Sequence, residues 1–131
     1  MPHDIINPEG LHDPVGFGYS HVAATSGDVV FIAGQYASGP DGQVVSDDFA
    51  EQVRQSLANL GTALRAVGLD FGHVVRLGSY IVDHDQDKLE VWSRAVGEVW
   101  GAEPPAQTLL GVATLALPGM KFEVDAVAVR P

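Results

Sequence analysis

The chain has no cysteine among its 131 residues, which excludes disulfides, thiol nucleophiles and thiolate metal sites together. That lack suits a reducing compartment, and the expected location is cytoplasmic. Cations are also scarce. Seven Lys and Arg stand against 17 Asp and Glu, a net charge of −10 that repels phosphate backbones and anionic lipid at long range. Neither nucleic acid nor membrane is an expected partner. No long apolar run occurs, and the opening MPHDIINPEG has neither the basic start nor the apolar stretch of a signal peptide, so secretion and membrane insertion are not expected. P-loop, GxGxxG and HExxH strings are missing too. The five histidines, His3, His12, His21, His73 and His84, lack tight metal-ligand spacing, so no metal site is expected.

What is present describes a packed protein. A hydrophobic share of 46% with 18% charged residues at this length predicts one domain over residues 1–131. After an irregular start, Tyr19–Thr25 and Asp28–Ala33 flank the turn signal Ser26-Gly27 and read as a β-hairpin. Val44-Val45, behind a Ser-Gly-Pro-Asp-Gly cluster, reads as a short edge strand. From the capping candidate Ser46, apolar residues at Phe49, Val53, Leu57, Leu60, Leu64 and Val67 predict a helix closed by Gly68, with Gln52, Gln55 and Asn59 on its outer face. His73–Val82 reads as a central strand. Asp85 then caps a second helix carrying Leu89, Trp92, Val96, Val99 and Trp100, ended by Gly101. Gln107–Leu115 and Lys121–Val129 finish the sheet.

The order ββ(β)αβαββ is an α+β fold in which two helices cover one face of a mixed six-stranded sheet. Yet Phe122, Val124 and Ala126 alternate with Val127 and Val129, so apolar residues point to both faces. A bare second face would be an aggregation-prone patch, which predicts burial against identical subunits.

Four strings, in order and at matching spacing, carry a resemblance: Gly18-Tyr19-Ser20, Ile32-Ala33-Gly34-Gln35, Pro105-Ala106-Gln107, and Phe122-Glu123-Val124-Asp125-Ala126-Val127-Ala128. Together they resemble the RidA/YjgF family of reactive-intermediate deaminases, whose pattern reads GPYS, TSGQ, PARS and VEIEAIA. The resemblance implies a chorismate mutase-like homotrimer with sheets facing inward and small-molecule clefts between subunits. It also implies cofactor-independent hydrolysis of enamines or imines such as 2-aminoacrylate. By position, Tyr19 would line the cleft, the Gly34 backbone would border it, and Glu123 would position the attacking water.

One departure bears on specificity. Gln107 stands where deaminating members keep an arginine that grips the substrate carboxylate in a two-pronged, charge-assisted bond. A neutral amide does this poorly, so a substrate other than 2-aminoacrylate is expected. Where many members place an asparagine near the cleft, either Trp92 or Ser93 is the counterpart.

Each candidate also has a plain structural reading. Gln107 orients a neutral ligand or merely starts a strand. Glu123 is a general base with a raised pKa or a solvated strand carboxylate, with Asp125 two residues on as its reserve. Tyr19 is a cleft ring or packing; His21 is an acid–base group beside it or a surface histidine. Trp92 and Trp100, eight apart, belong to one helical face and read as core. Two functional expectations follow: an imine or enamine hydrolase of altered specificity, or a binding protein that kept the clefts and lost the chemistry. The ribonuclease activity attached to the family name ranks last on charge.

Overall fold

In a computed structural model describing residues 3–131, two helices pack on one face of a four-stranded mixed sheet. The chain runs β1 (Asp4–Ile6), β2 (Val22–Ala24), β3 (Asp28–Gln35), α1 (Phe49–Ala66), β4 (Val74–Val82), α2 (Gln86–Trp100), β5 (Ala106–Val112) and β6 (Phe122–Arg130). The sheet order is β3-β6-β4-β5, with β4 and β5 parallel and the other neighbours antiparallel. Among the described residues, no helix is long and apolar enough to cross a membrane.

The helices form where the apolar spacing places them. Val53, Leu57, Leu60 and Leu64 of α1 and Trp92 and Val96 of α2 are buried against Ile32, Leu77, Ile81, Phe122 and Val124 of the sheet. Each helix starts on an aspartate accepting a backbone N–H, Asp48 from Glu51 and Asp85 from Lys88. Asp48 displaces Ser46 as the cap of α1. The Ser46 hydroxyl instead accepts from the Asp48 N–H, one turn signal upstream.

Three expectations are corrected. First, the hairpin across Ser26-Gly27 does not form: β2 pairs with β1, and β3 pairs with β6. The segment before β2 is already committed elsewhere, since the Ser20 N–H donates to the Pro105 carbonyl and Ser20 bridges Ala106 at the opposite sheet edge. The six strands are therefore divided into a four-stranded sheet and a two-stranded ribbon, and β1 lies in a stretch expected to be irregular. Second, the strand at Val44-Val45 shrinks to an isolated bridge between Ser38 and Val44, and β5 stops at Val112, short of Leu115. Third, Gln52 is not on an outer face. It is 0% exposed, donating to the Ser46 and Gly119 carbonyls and accepting from the Lys121 N–H. A long amide can satisfy loop backbone inside the protein, and periodicity alone does not register that.

The sheet face away from the helices carries Val29 and Phe31 of β3 and Leu110 of β5, with Phe31 80% exposed. Tyr80, Glu123 and Asp125 share this open face, because Tyr80 lies opposite Glu123 and Gly78 opposite Asp125 in the β4–β6 ladder.

Candidate functional site

The free edge of β5 is where the N-terminal segment closes on the sheet. Pro104 and Pro105, both buried, end the α2 connection and deliver Ala106 and Gln107 to the strand. Gln107 then ties three elements together. Its Oε1 accepts from the Ser79 hydroxyl of β4 at 2.8 Å and from the Trp92 indole N–H of α2 at 2.6 Å. Its Nε2 donates to the Gly18 carbonyl at 2.7 Å. The Ser93 hydroxyl adds a bond to the Phe17 carbonyl at 2.9 Å. Gly18 has a positive φ of 89°, and a Cβ there would lie 3.1 Å from the Ser93 Cα, so glycine suits both the turn and the close approach.

These ties frame a cleft of about 480 Å³. The N-terminal segment supplies His12, Phe17 and Tyr19, and α2 supplies Leu89 and Trp92. The β5 edge contributes Gln107 to Leu109, and His84 stands at the turn before α2. This lining contains neither lysine, arginine nor carboxylate. His84 Nδ1 is shut off from solvent and has no protein hydrogen-bond partner.

Inside the N-terminal wall, His12 Nε2 and the Tyr19 hydroxyl are 2.6 Å apart. Phe17, Tyr19 and His21 each meet the His12 ring edge to face, at centroid distances of 6.2, 6.1 and 4.8 Å. His21 Nε2 donates to the His12 carbonyl at 2.8 Å, pinning the loop. His21 thus supports the wall and is not itself part of the cleft lining. His12 was not singled out by its spacing; the only signal was the cluster of turn residues Pro14, Gly16 and Gly18 that folds the loop back over Tyr19.

A second locus lies on the open sheet face. The Glu123 carboxyl rests against Gly34, where any side chain would collide with it. Asp125 lies against Gly78 in the same way and accepts from the Tyr80 hydroxyl at 2.8 Å. Burial first, and the charge of Asp125 second, push the Glu123 carboxyl above its ordinary pKa. The bond to Asp125 is the main cause holding the Tyr80 phenol above its own.

A raised carboxyl pKa means that the folded state binds the proton more tightly. The associated stability is complete below the ordinary carboxyl value and is lost as pH rises through the folded one. Glu123→Gln is therefore expected to melt higher than the parent chain at pH 7, with the gap closing at about pH 4. Melting curves at the two pH values check this, and a less stable variant at pH 7 would count against a strained carboxylate.

The structure thus brings Tyr19, Trp92 and Gln107 together and sets Glu123 with Gly34. It does not join the two groups within one chain. Gln107 points to the helix side with Ser79, whereas Glu123 points to the open side, across β4. Between the alternatives at Trp92 and Ser93, Trp92 is buried behind the cleft with its indole N–H on Gln107, and Ser93 fastens the segment that walls the cleft. Among the described residues, no group of three His, Asp or Glu side chains is arranged to hold a metal ion.

The family model described as Endoribonuclease L-PSP matches residues 12–130. The crystal structure of YyfB from Yersinia pestis, of the conserved Rid protein family, superposes with a TM-score of 0.94 at 38% identity, over 99% of this chain and 100% of that one. The chain belongs to the RidA/YjgF family. Among relatives of this family, the RutC family protein YjgH of Escherichia coli K12 is 33% identical over 125 residues, 95% of this chain and 92% of its own. The human 2-iminobutanoate/2-iminopropanoate deaminase is 33% identical over 102 residues, 77% of this chain and 72% of its own. A RidA/YjgF chain with two helices on a mixed sheet is what the sequence strings implied.

Proposed function

We propose that this protein is a cofactor-independent hydrolase of a neutral imine, enamine or related small carbonyl compound, bound in the cleft beside Gln107. The observation that carries the reading is the state of Gln107. Its oxygen already accepts two hydrogen bonds and its nitrogen donates one, leaving one N–H in a cleft whose lining has no lysine or arginine. One N–H among apolar and aromatic walls orients a neutral acceptor atom; it does not hold a carboxylate. The deaminase relatives named for 2-imino acids support the reaction class, and a glutamine where the family resemblance implies an arginine argues for a different substrate.

In this reading copies of the chain, as homotrimers, cover the open face of Phe31, Val29 and Leu110. Glu123 and the Gly34 backbone take part only where that assembly brings a neighbouring cleft to them. The net charge of −10 argues against an RNA substrate.

Hydrolysis of benzaldehyde N-methylimine, followed by absorbance, tests the reading: the protein is expected to accelerate it in a saturable manner. A second reading, a binding protein without turnover, is favoured by the placing of Glu123 on the opposite sheet face from Gln107 within one chain. Saturable binding of the same imine by calorimetry, with hydrolysis at the uncatalysed rate, would support that reading instead.

A further inference from the structure

We infer that the hydrogen-bonded His12–Tyr19 pair is the proton-transfer group of the Gln107 cleft; this rests on the hydrolase reading above. Three residues in the cleft lining can exchange protons, His12, Tyr19 and His84. Within one chain Glu123, the carboxylate that the family resemblance puts forward, lies on the other side of the sheet, so it reaches this cleft only from a neighbouring copy. His84 Nδ1 is sealed from solvent without a partner. His12 and Tyr19 alone combine access to the cleft with a direct link, the 2.6 Å contact between Nε2 and the phenol oxygen.

The surroundings hold that link in place. His12 is packed edge to face by Phe17, Tyr19 and His21, and its backbone carbonyl is held by His21 Nε2. Tyr19 is followed by Ser20, whose N–H is bonded to Pro105 next to the start of β5. Gly18, immediately before it, is bonded to Gln107 itself. The phenol is therefore positioned by the same side chain that presents a spare N–H to the ligand, which is the coupling that orientation and proton transfer require. As an exposed polar contact, the pair adds little to folding.

Water adds to the carbon of a protonated imine, and the C=N π pair retreats to nitrogen. The proton lost by the water passes to the Tyr19 oxygen, while the phenol's own proton crosses to His12 Nε2. In the second half the imidazolium returns that proton through Tyr19 to the amine nitrogen. The C–N bond breaks, the hydroxyl proton leaves to solvent, and the carbonyl compound and amine are released. No oxidant, reductant or further reactant is consumed.

The test uses Tyr19→Phe, which removes one oxygen, and His12→Gln, each compared with the parent chain on benzaldehyde N-methylimine. Expected is a fall in kcat of about 100-fold for each variant with KM changed by less than about threefold, the size usual for general acid–base groups. Free imidazole is expected to restore part of the rate to His12→Ala, which a purely structural role for His12 would not allow. Variants within about twofold of the parent kcat, or variants altered only in KM, overturn the inference while leaving the hydrolase reading intact. A parent chain with no acceleration overturns the hydrolase reading, and the pair's role with it.

Discussion

Gln107→Ala is expected to lower the melting temperature by about 7 to 15 °C, the equivalent of about 2 to 4 kcal/mol for a domain of this size. The loss is large because one truncation strands three partners. The Trp92 indole N–H, on a side chain 0% exposed, loses its acceptor. The Ser79 hydroxyl, equally buried, loses its own, and the Gly18 carbonyl loses its donor. Leaving buried polar groups unpaired costs more than the bonds are worth when made. Thermal melts of the two proteins decide the matter. A shift of under 2 °C would mean that water replaces the amide and that Gln107 is not a structural tie.

The same geometry bears on the arginine that the family resemblance implies at this position. An indole N–H and a serine hydroxyl both aim at position 107 and need an acceptor there; a guanidinium has none. Trp92 and Gln107 therefore belong together, and Gln107→Arg alone is expected to destabilise the protein without creating a carboxylate clamp.

Release of ammonia from 2-aminoacrylate is accordingly expected to be slower by a factor of about 30 to several thousand than in an arginine-bearing relative. That range corresponds to about 2 to 5 kcal/mol for losing one side of a desolvated, hydrogen-bonded charge pair. A coupled ammonia assay on the two proteins side by side measures it. Equal rates would require a cation from outside the lining described for the cleft, supplied by a neighbouring copy.

How much of this was legible in the sequence depends on the range over which each interaction acts. The helices at Phe49–Ala66 and Gln86–Trp100 follow from local spacing and caps, and both appear within a few residues of expectation. The uncovered face was readable from the two-sided apolar pattern of Phe122–Arg130. Pairing partners were not readable. Ser26-Gly27 signals a turn, but nothing local says that β2 will prefer β1, because that choice is made by Pro105 and Gln107, more than eighty residues away. The site shows the same division. Tyr19 and Gln107 stand in the matching strings, whereas His12 lies outside those strings and reaches Tyr19 only through the loop's closure. That Glu123 and Gln107 face opposite ways depends on the registers of β4 with β5 and β6, which no single strand encodes.

The most direct measurement is the ratio of kcat/KM for a matched pair of imines that differ only in a carboxylate on the imine carbon. With Gln107 occupied by Trp92, Ser79 and Gly18, the neutral imine is expected to be the better substrate by at least about tenfold, about 1.4 kcal/mol in favour of leaving the carboxylate out. A ratio reversed in favour of the carboxylate-bearing imine would contradict a cleft built for neutral ligands.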